Sequence, residues 1–202
     1  MMPLPEPAPR VSPLPRRLLV AGTSGSGKST LAVRIAEVGG LPYVEIDALF
    51  HGPGWTPRPE FERDVDAFIA RPSWVTEWQY TSVRARLAAT ADALVWLDYA
   101  RPLVMRRVIR RTLARRIRRT ELWNGNTEPP LRTIATDPDH IIRWAWRTHG
   151  RLPEMVRAAA AANPALEIVR LGSPRATERW LRDYADAVGV SIAPPKRRFR
   201  PA

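Results

Sequence analysis

Short apolar runs alternate with longer stretches of helical period along most of the chain. Leu18-Leu19-Val20-Ala21 reads as a buried strand, and the stretch from Lys28 puts Leu31, Ile35 and Val38 on one helical face. Tyr43-Val44-Glu45-Ile46 is a second strand ending at Asp47. A Gly- and Pro-rich loop leads to a helix that opens near Pro59, stripes Phe61, Val65, Phe68 and Ile69, and stops before Pro72. Trp74-Val75-Thr76 gives a third strand, Val83, Leu87 and Ala91 stripe the next helix, and Leu94-Val95-Trp96-Leu97 gives a fourth strand ending at Asp98. A basic helix starts near Pro102. Asp137-Pro138 supplies an N-cap followed by a first-turn proline, and Pro153 opens another helix in the same way. Glu167-Ile168-Val169-Arg170-Leu171 is the fifth strand, and a last helix from Ser173-Pro174 buries Trp180, Leu181, Tyr184 and Val188. Strands and helices in this alternation predict an α/β domain, a parallel sheet with helices on both faces and right-handed crossovers.

Composition narrows the picture at the two ends. Residues 1–16 carry six prolines, too many missing amide donors for a helix or an interior strand, so a disordered leader is expected there. A basic, Pro-containing tail is expected over 193–202, leaving 17–192 as the folded domain. No apolar run approaches the ~18 residues of a membrane span. The absence of cysteine excludes disulfides and thiolate chemistry, and His51, His140 and His149 are too few and too scattered for an ordinary structural zinc site. The N-terminus lacks the order of a secretory signal, so a cytoplasmic protein, monomeric or weakly dimeric and without a membrane partner, is expected.

Charge changes the reading more. There are 32 basic and 20 acidic residues, and only Lys28 and Lys196 of the basic ones are lysines. Nine arginines fall between Arg101 and Arg119 with no acid among them, so most of the formal +12 sits in one stretch. A local arginine cluster suits bidentate phosphate binding, whereas basicity spread over the chain would point to nucleic acid.

Gly22-Thr23-Ser24-Gly25-Ser26-Gly27-Lys28-Ser29 fits the phosphate-loop pattern G-x-x-x-x-G-K-[ST], between a predicted strand and a predicted helix. That context turns backbone N–H groups and the helix dipole toward a triphosphate. Residues Gly22 to Thr30 are the expected ATP-binding segment, with Lys28 reaching the β- and γ-phosphates and Ser29 ligating Mg²⁺. A guanine-selecting Asn-Lys-x-Asp motif is excluded, because no lysine lies between Lys28 and Lys196.

The chain resembles the nucleoside-monophosphate-kinase-like group, specifically small bacterial P-loop proteins similar to adenylate kinase and to DNA topology modulation proteins. The resemblance covers about 17–182. It rests on the phosphate loop, Ile46-Asp47-Ala48-Leu49, Pro53-Gly54-Trp55, Glu60-Phe61, Trp74-Val75, Tyr80, Trp96-Leu97-Asp98, Arg110-Arg111-Thr112-Leu113, Leu122-Trp123-Asn124-Gly125-Asn126, Thr148-His149, Arg170-Leu171 and Ser173-Pro174. It implies a P-loop kinase fold with strand order 2-3-1-4-5, an acceptor-binding insertion over 48–72 and a lid over about 112–150. The implied activity moves the γ-phosphoryl of Mg-ATP to a nucleoside monophosphate or another small acceptor. The alternative is a regulatory ATPase that grips nucleic acid with the arginine helix.

Several side chains follow from these expectations. The implied strand order puts Glu77 beside the phosphate loop, where it orients a Mg²⁺-bound water; Asp98, after four apolar residues, is the alternative metal group. Asp47, at the carboxyl edge of the sheet, accepts a substrate proton or holds a metal-bound water. Trp55 is either a platform for a ring or part of the core. Met105, Ile109 and Leu113 form one row of the basic helix, with the arginines emerging elsewhere. Arg107, Arg111 and Arg115 are the expected catalytic lid arginines, with Arg119, Arg143 and Arg147 as further candidates. The Asn124-Gly125 turn reads as a hinge or lid tip. Ser173 and Pro174 stand where related kinases hold adenine.

Overall fold

The computed structural model describes residues 14–118, 121–126, 133, 136–137 and 140–191. Residues 1–13 of the expected leader, the expected tail over 193–202, Arg119 and Pro138 lie outside the described residues.

The strands are β1 (Arg17–Gly22), β2 (Tyr43–Val44), β3 (Trp74–Glu77), β4 (Ala93–Leu97) and β5 (Glu167–Leu171). They form one parallel sheet of order β2-β3-β1-β4-β5, the order that the resemblance implies. Helices α1 (Lys28–Gly39), α2 (Ile46–Phe50), α3 (Phe61–Ile69), α4 (Thr81–Thr90), α5 (Arg101–Arg118), α6 (Ile141–Thr148), α7 (Leu152–Ala162) and α8 (Pro174–Ala187) surround it. Among the described residues no helix is long and apolar enough to cross a membrane.

β1 and β4 read as continuous apolar runs because parallel strands are covered on both faces. Alternate residues feed two cores. Leu18 and Val20 face α1 and α8 with Leu31, Ile35 and Leu181, while Leu19 and Ala21 face α3, α4 and α7 with Val65, Phe68, Leu87 and Val156. Each such side chain contributes about 1.5–3 kcal/mol on burial, so Leu19→Ala would cost ~2–5 kcal/mol once its cavity is included. Asp92 ties the start of β1 to the start of β4: its carboxylate accepts from Arg17 Nη2 at 2.6 Å and from the backbone N–H groups of Arg16 and Arg17.

Central β1 is flanked by β3 on one side and β4 on the other, with connections running in opposite directions. Its carboxyl end is the switch point at which open α/β sheets bind ligands, and the phosphate loop emerges there.

Four local expectations are corrected. The second strand stops at Val44, and Ile46 starts α2, so Asp47 lies in a helical first turn instead of ending a strand. The short helix lets Ile46 enter the core, 0% exposed, which an extended edge strand would not do. The next helix begins at Phe61 and not near Pro59. The cap of α6 is His140, whose Nδ1 accepts from the Ile142 N–H at 3.3 Å; Asp137 sits one turn earlier, where its carbonyl accepts from the His140 N–H. In α5 the buried row is Val104, Val108 and Thr112, whereas Ile109 and Leu113 are exposed. The helix rolls this way because its Val104–Val108 face rests directly on the phosphate loop.

Candidate active site

The phosphate loop leaves β1 at Gly22 and enters α1 at Lys28. Gly27 caps α1 with φ 100°, a conformation that favours glycine, and Gly25 has φ 86°. A Cβ on Gly25 would stand 2.9 Å from Val108 Cβ and 3.0 Å from the Val104 carbonyl, so only glycine lets α5 pack so close. The arginines of α5 consequently reach the loop itself. Arg107 Nη1 donates to the Ser26 carbonyl at 3.0 Å while its guanidinium lies over the Tyr99 ring, and Arg111 Nη2 donates to Ser24 Oγ at 3.1 Å. Arg115 is one turn further along the same helix, and α5 runs unbroken through Thr112. Thr23 and Ser26 are buried, whereas Gly27, Ser29 and Thr30 are exposed at the mouth of the loop.

Two acidic groups stand close to Lys28. Part of the lysine stem touches solvent, but its ammonium is withdrawn from water. Desolvation lowers its pKa from the ordinary 10.5, while Asp47 and Glu77 act in the opposite sense and Arg111 and Arg84 reinforce the lowering. Glu77, the last residue of β3, is 1% exposed and pairs in register with Val20 of β1. Its Oε1 accepts from the Tyr43 hydroxyl at 2.9 Å, and its Oε2 is buried with no hydrogen bond. Asp98 is oriented differently: its carboxylate accepts from Arg170 Nε at 2.8 Å and Nη2 at 2.5 Å, turned toward β5.

Asp47 is held from the β3–α4 connection. Its Oδ1 accepts from the Tyr80 hydroxyl at 2.5 Å and from Gln79 Nε2 at 3.1 Å. Tyr80 has φ 58°, strained for a residue with a β-carbon, and burial followed by the Asp47 charge pushes its phenol well above the ordinary range. The phenol is thus a fixed donor. The same hydroxyl lies 3.2 Å from His51 Nε2, and burial lowers the His51 pKa against the pull of Asp47.

Around these groups stands an aromatic wall. Phe50 stacks on Tyr80 at 4.0 Å between centroids, His51 stacks on Trp123 at 5.9 Å, and Trp55 meets His51 edge-on at 5.0 Å. Trp55 is half-buried in this wall, outside both cores. Two 3-10 turns, Pro53–Trp55 and Trp123–Gly125, are locked together. Asn126 Oδ1 accepts from the Trp55 N–H at 3.0 Å, Asn126 Nδ2 donates to the Gly52 carbonyl at 2.9 Å, and Asn124 Nδ2 donates to the His51 carbonyl. The Asn-Gly segment is a clasp onto the 48–72 insertion.

On the other side of the loop lies a cleft of about 340 Å³, lined by Gly27, Thr30, Arg34, Tyr99, Pro174 and Thr177 among others. Pro174 borders it, while Ser173 Oγ caps α8 by accepting from the Ala176 N–H at 3.2 Å. Arg34 and Glu178 form a bidentate ion pair at its rim, with Nη1–Oε1 2.5 Å and Nη2–Oε2 2.9 Å.

The residues fit a bound Mg²⁺-triphosphate. Ser26 Oγ and Glu77 Oε2 are buried polar atoms without hydrogen bonds at the two places where a phosphate oxygen and a metal-bound water would satisfy them. Among the described residues no three His, Asp or Glu side chains cluster as ligands, which suits a metal bound by few carboxylates together with substrate phosphates. The sequence reasoning passed over Tyr43, His51, Gln79, Arg34 and Glu178. Only the spacing of Gln79 and Tyr80 after β3 offered a signal for any of them.

No protein-family model and no curated protein matches the chain. Solved structures similar to it include a gluconokinase from Sinorhizobium meliloti 1021, 20% identical over 87% of this chain and 97% of that one, TM-score 0.44. A shikimate kinase from Acinetobacter baumannii in complex with shikimate is 12% identical over 86% and 92%, TM-score 0.47. A shikimate kinase from Bacteroides thetaiotaomicron is 13% identical over 87% and 99%, also with TM-score 0.47.

Proposed function

We propose that the protein is a Mg-ATP-dependent phosphotransferase acting on a small-molecule acceptor. The observation that carries this reading is the phosphate loop between β1 and α1 at the carboxyl edge of the sheet, with Glu77 ending the neighbouring strand β3 and its buried Oε2 without a hydrogen bond.

Backbone N–H groups of Gly25 to Ser29 and the Lys28 ammonium hold the β- and γ-phosphates. Ser29 and, through water, Glu77 would hold Mg²⁺, and the ion would supply charge neutralisation at the transferring phosphate. The nucleoside occupies the cleft beside Pro174. Where the acceptor presents a hydroxyl, its oxygen attacks the γ-phosphorus, the bond to the β,γ-bridging oxygen breaks, and Asp47 takes the hydroxyl proton. A phosphate oxygen of a nucleoside monophosphate needs no such base. Arg107, Arg111 and Arg115 neutralise charge that spreads over the equatorial oxygens. The aromatic wall of Phe50, Trp55, Tyr80 and Trp123 excludes water from the acceptor side.

The arginines that remain exposed on the far side of α5, Arg106 and Arg110, favour the second reading, a regulatory ATPase that grips nucleic acid. One experiment separates the two. Incubation with γ-labelled ATP and a panel of acceptors is expected to move label onto one acceptor class, dependent on Mg²⁺ and lost in Lys28→Ala. Label released only to water, at one rate whichever acceptor is present, would overturn the phosphotransferase reading. Nucleic-acid affinity that weakens steeply with salt and drops in Arg106→Gln would support the alternative.

A further inference from the structure

Five arginines around the sheet have carboxylate partners: Arg17 with Asp92, Arg34 with Glu178, Arg58 with Asp64, Arg86 with Asp66 and Glu62, and Arg170 with Asp98. Arg84 differs. It lies in the first turn of α4, and its own N–H donates to the Tyr80 carbonyl, so it is one helical turn from the phenol that holds Asp47. Its guanidinium lies over the Trp78 ring at 5.3 Å, and Nη1 approaches Met155 Sδ at 4.0 Å. Its Nε is buried without a hydrogen bond, and among the described residues no carboxylate pairs with it.

A ring face and a thioether neither neutralise a guanidinium nor satisfy its planar fork of donors. Burial accordingly lowers the Arg84 pKa, whereas the Glu178 hydrogen bond raises that of Arg34. Arg84 is also close enough to Lys28 to lower the lysine's pKa, together with Arg111. One turn of α4 beyond Tyr80, the residue that holds Asp47, there is therefore a half-buried cation with no carboxylate complement among the described residues, and a bidentate oxyanion is the ligand that fits such a fork.

We propose that Arg84 is the anion-recognising group of the acceptor pocket, so that the acceptor is a small molecule carrying a carboxylate or phosphate. The inference rests on the phosphotransferase reading for the word acceptor, but the anion site itself does not. A neutral sugar or nucleoside leaves Arg84 without a partner. A carboxylate or phosphomonoester completes it, with Trp78 and Met155 fixing the side chain before the ligand arrives.

The test uses the full chain saturated with Mg²⁺ and a non-hydrolysable ATP analogue, so that the phosphate loop is already filled. The side-chain Nε–H resonance of Arg84, assigned by its loss in Arg84→Met, is followed on titration with glycerate, glycerol 3-phosphate and glycerol. Saturable shifts with one or both anions and none with glycerol are expected, and whichever anion binds tighter tells carboxylate from phosphate. Arg84→Met keeps the apolar stem against Trp78 and Met155 and removes the uncompensated charge. Its thermal midpoint is expected to hold or rise, its affinity for the ATP analogue to stay within about twofold, and its affinity for the anion to fall at least tenfold. Arg84→Lys, which keeps the charge without the fork, is expected to fall between.

An unmoved Arg84 resonance with both anions, in protein that binds the ATP analogue, would overturn the anion site and leave the phosphotransferase reading standing. A midpoint that collapses in Arg84→Met while anion affinity is unchanged would overturn it too, by making the residue structural. Anion binding at Arg84 with no label transferred to any acceptor would keep the anion site and remove the phosphotransferase reading.

Discussion

On the side of the site that we read as binding nucleotide, one unbroken strand–loop–helix segment offers main-chain N–H groups and one lysine, with α5 packed against the loop. On the acceptor side the working groups come from α2, the Pro53–Trp55 turn, the β3–α4 connection and the Trp123–Gly125 turn, and every one of them acts through a side chain. The first half is rigid by construction, since its shape follows from glycine conformations and helix geometry. The second is rigid only because Asn124, Asn126 and Tyr80 hold it shut. A phosphate chain common to many substrates suits the former, and a particular acceptor requires the latter.

The largest effect that would break this contrast is at Lys28. Lys28→Ala is expected to lower phosphoryl transfer by at least ~10³-fold. The ligand-free fold is expected to hold or gain stability. The sign follows from the lowered pKa: below it the folded chain bears the full cost of a desolvated charge, and that cost disappears as pH rises toward the ordinary 10.5. Thermal midpoints measured from pH 7 to 10 should therefore converge for wild type and variant. Normal turnover in the folded variant would remove the phosphate-loop assignment.

Next come the arginines of α5. Single replacement of Arg107, Arg111 or Arg115 by Gln is expected to lower kcat by ~10²–10³ with ATP affinity within several-fold, because charge neutralisation matters most in the transition state. Arg107 and Arg111 already touch the loop, so their losses should exceed that of Arg115. Unchanged kcat in all three would confine catalysis to the loop and the carboxylates.

The difference between the halves also decides what could be read from the chain. Gly22 to Ser29 stood out because contiguous residues carry that motif at fixed spacing; the parallel sheet was legible because apolar runs and helical periods alternate cleanly, whereas the strand order came only from the resemblance. Asp47 was singled out from its place at a predicted strand end, although it sits in α2, and Glu77 from the strand order that the resemblance implies. His51, Gln79 and Arg84 were not found. Nothing local distinguishes them, and their roles arise from pairings such as Tyr80 with His51, 29 residues apart. The row misassigned in α5 has the same origin: Ile109 is more apolar than Thr112, but contact with Gly25 of the loop chose the buried face.

A third experiment sharpens the comparison at the clasp. Asn126 is 5% exposed and bonds three backbone groups, so Asn126→Ala removes its bonds to the Trp55 N–H and to the Gly52 and Trp123 carbonyls, at about 1–3 kcal/mol. The thermal midpoint should drop by several degrees, and KM for the acceptor should rise about tenfold while ATP-analogue affinity holds within twofold. An equal loss on both sides would show that the halves are one mechanical unit.

The smallest effect is expected at the rim of the nucleotide cleft, where Arg34 and Glu178 are paired. The Arg34 side-chain hydrogen bond, outweighing desolvation, holds the Glu178 carboxyl below the usual glutamate value, and the pair is partly solvent-exposed. A carboxyl depressed in the folded state contributes stability above its unfolded pKa and loses it as pH falls through the folded one, so the contribution is present at pH 7 and fades only below about pH 4. Glu178→Gln should thus lower the midpoint at pH 7 by on the order of 2 °C, with the difference from wild type closing in acid. It should leave acceptor KM alone and change ATP-analogue affinity by no more than a few-fold, since the pair borders the cleft without reaching Lys28. A gap that persists unchanged at pH 3 would mean that packing of the Glu178 side chain, and not its charge, joins α8 to α1.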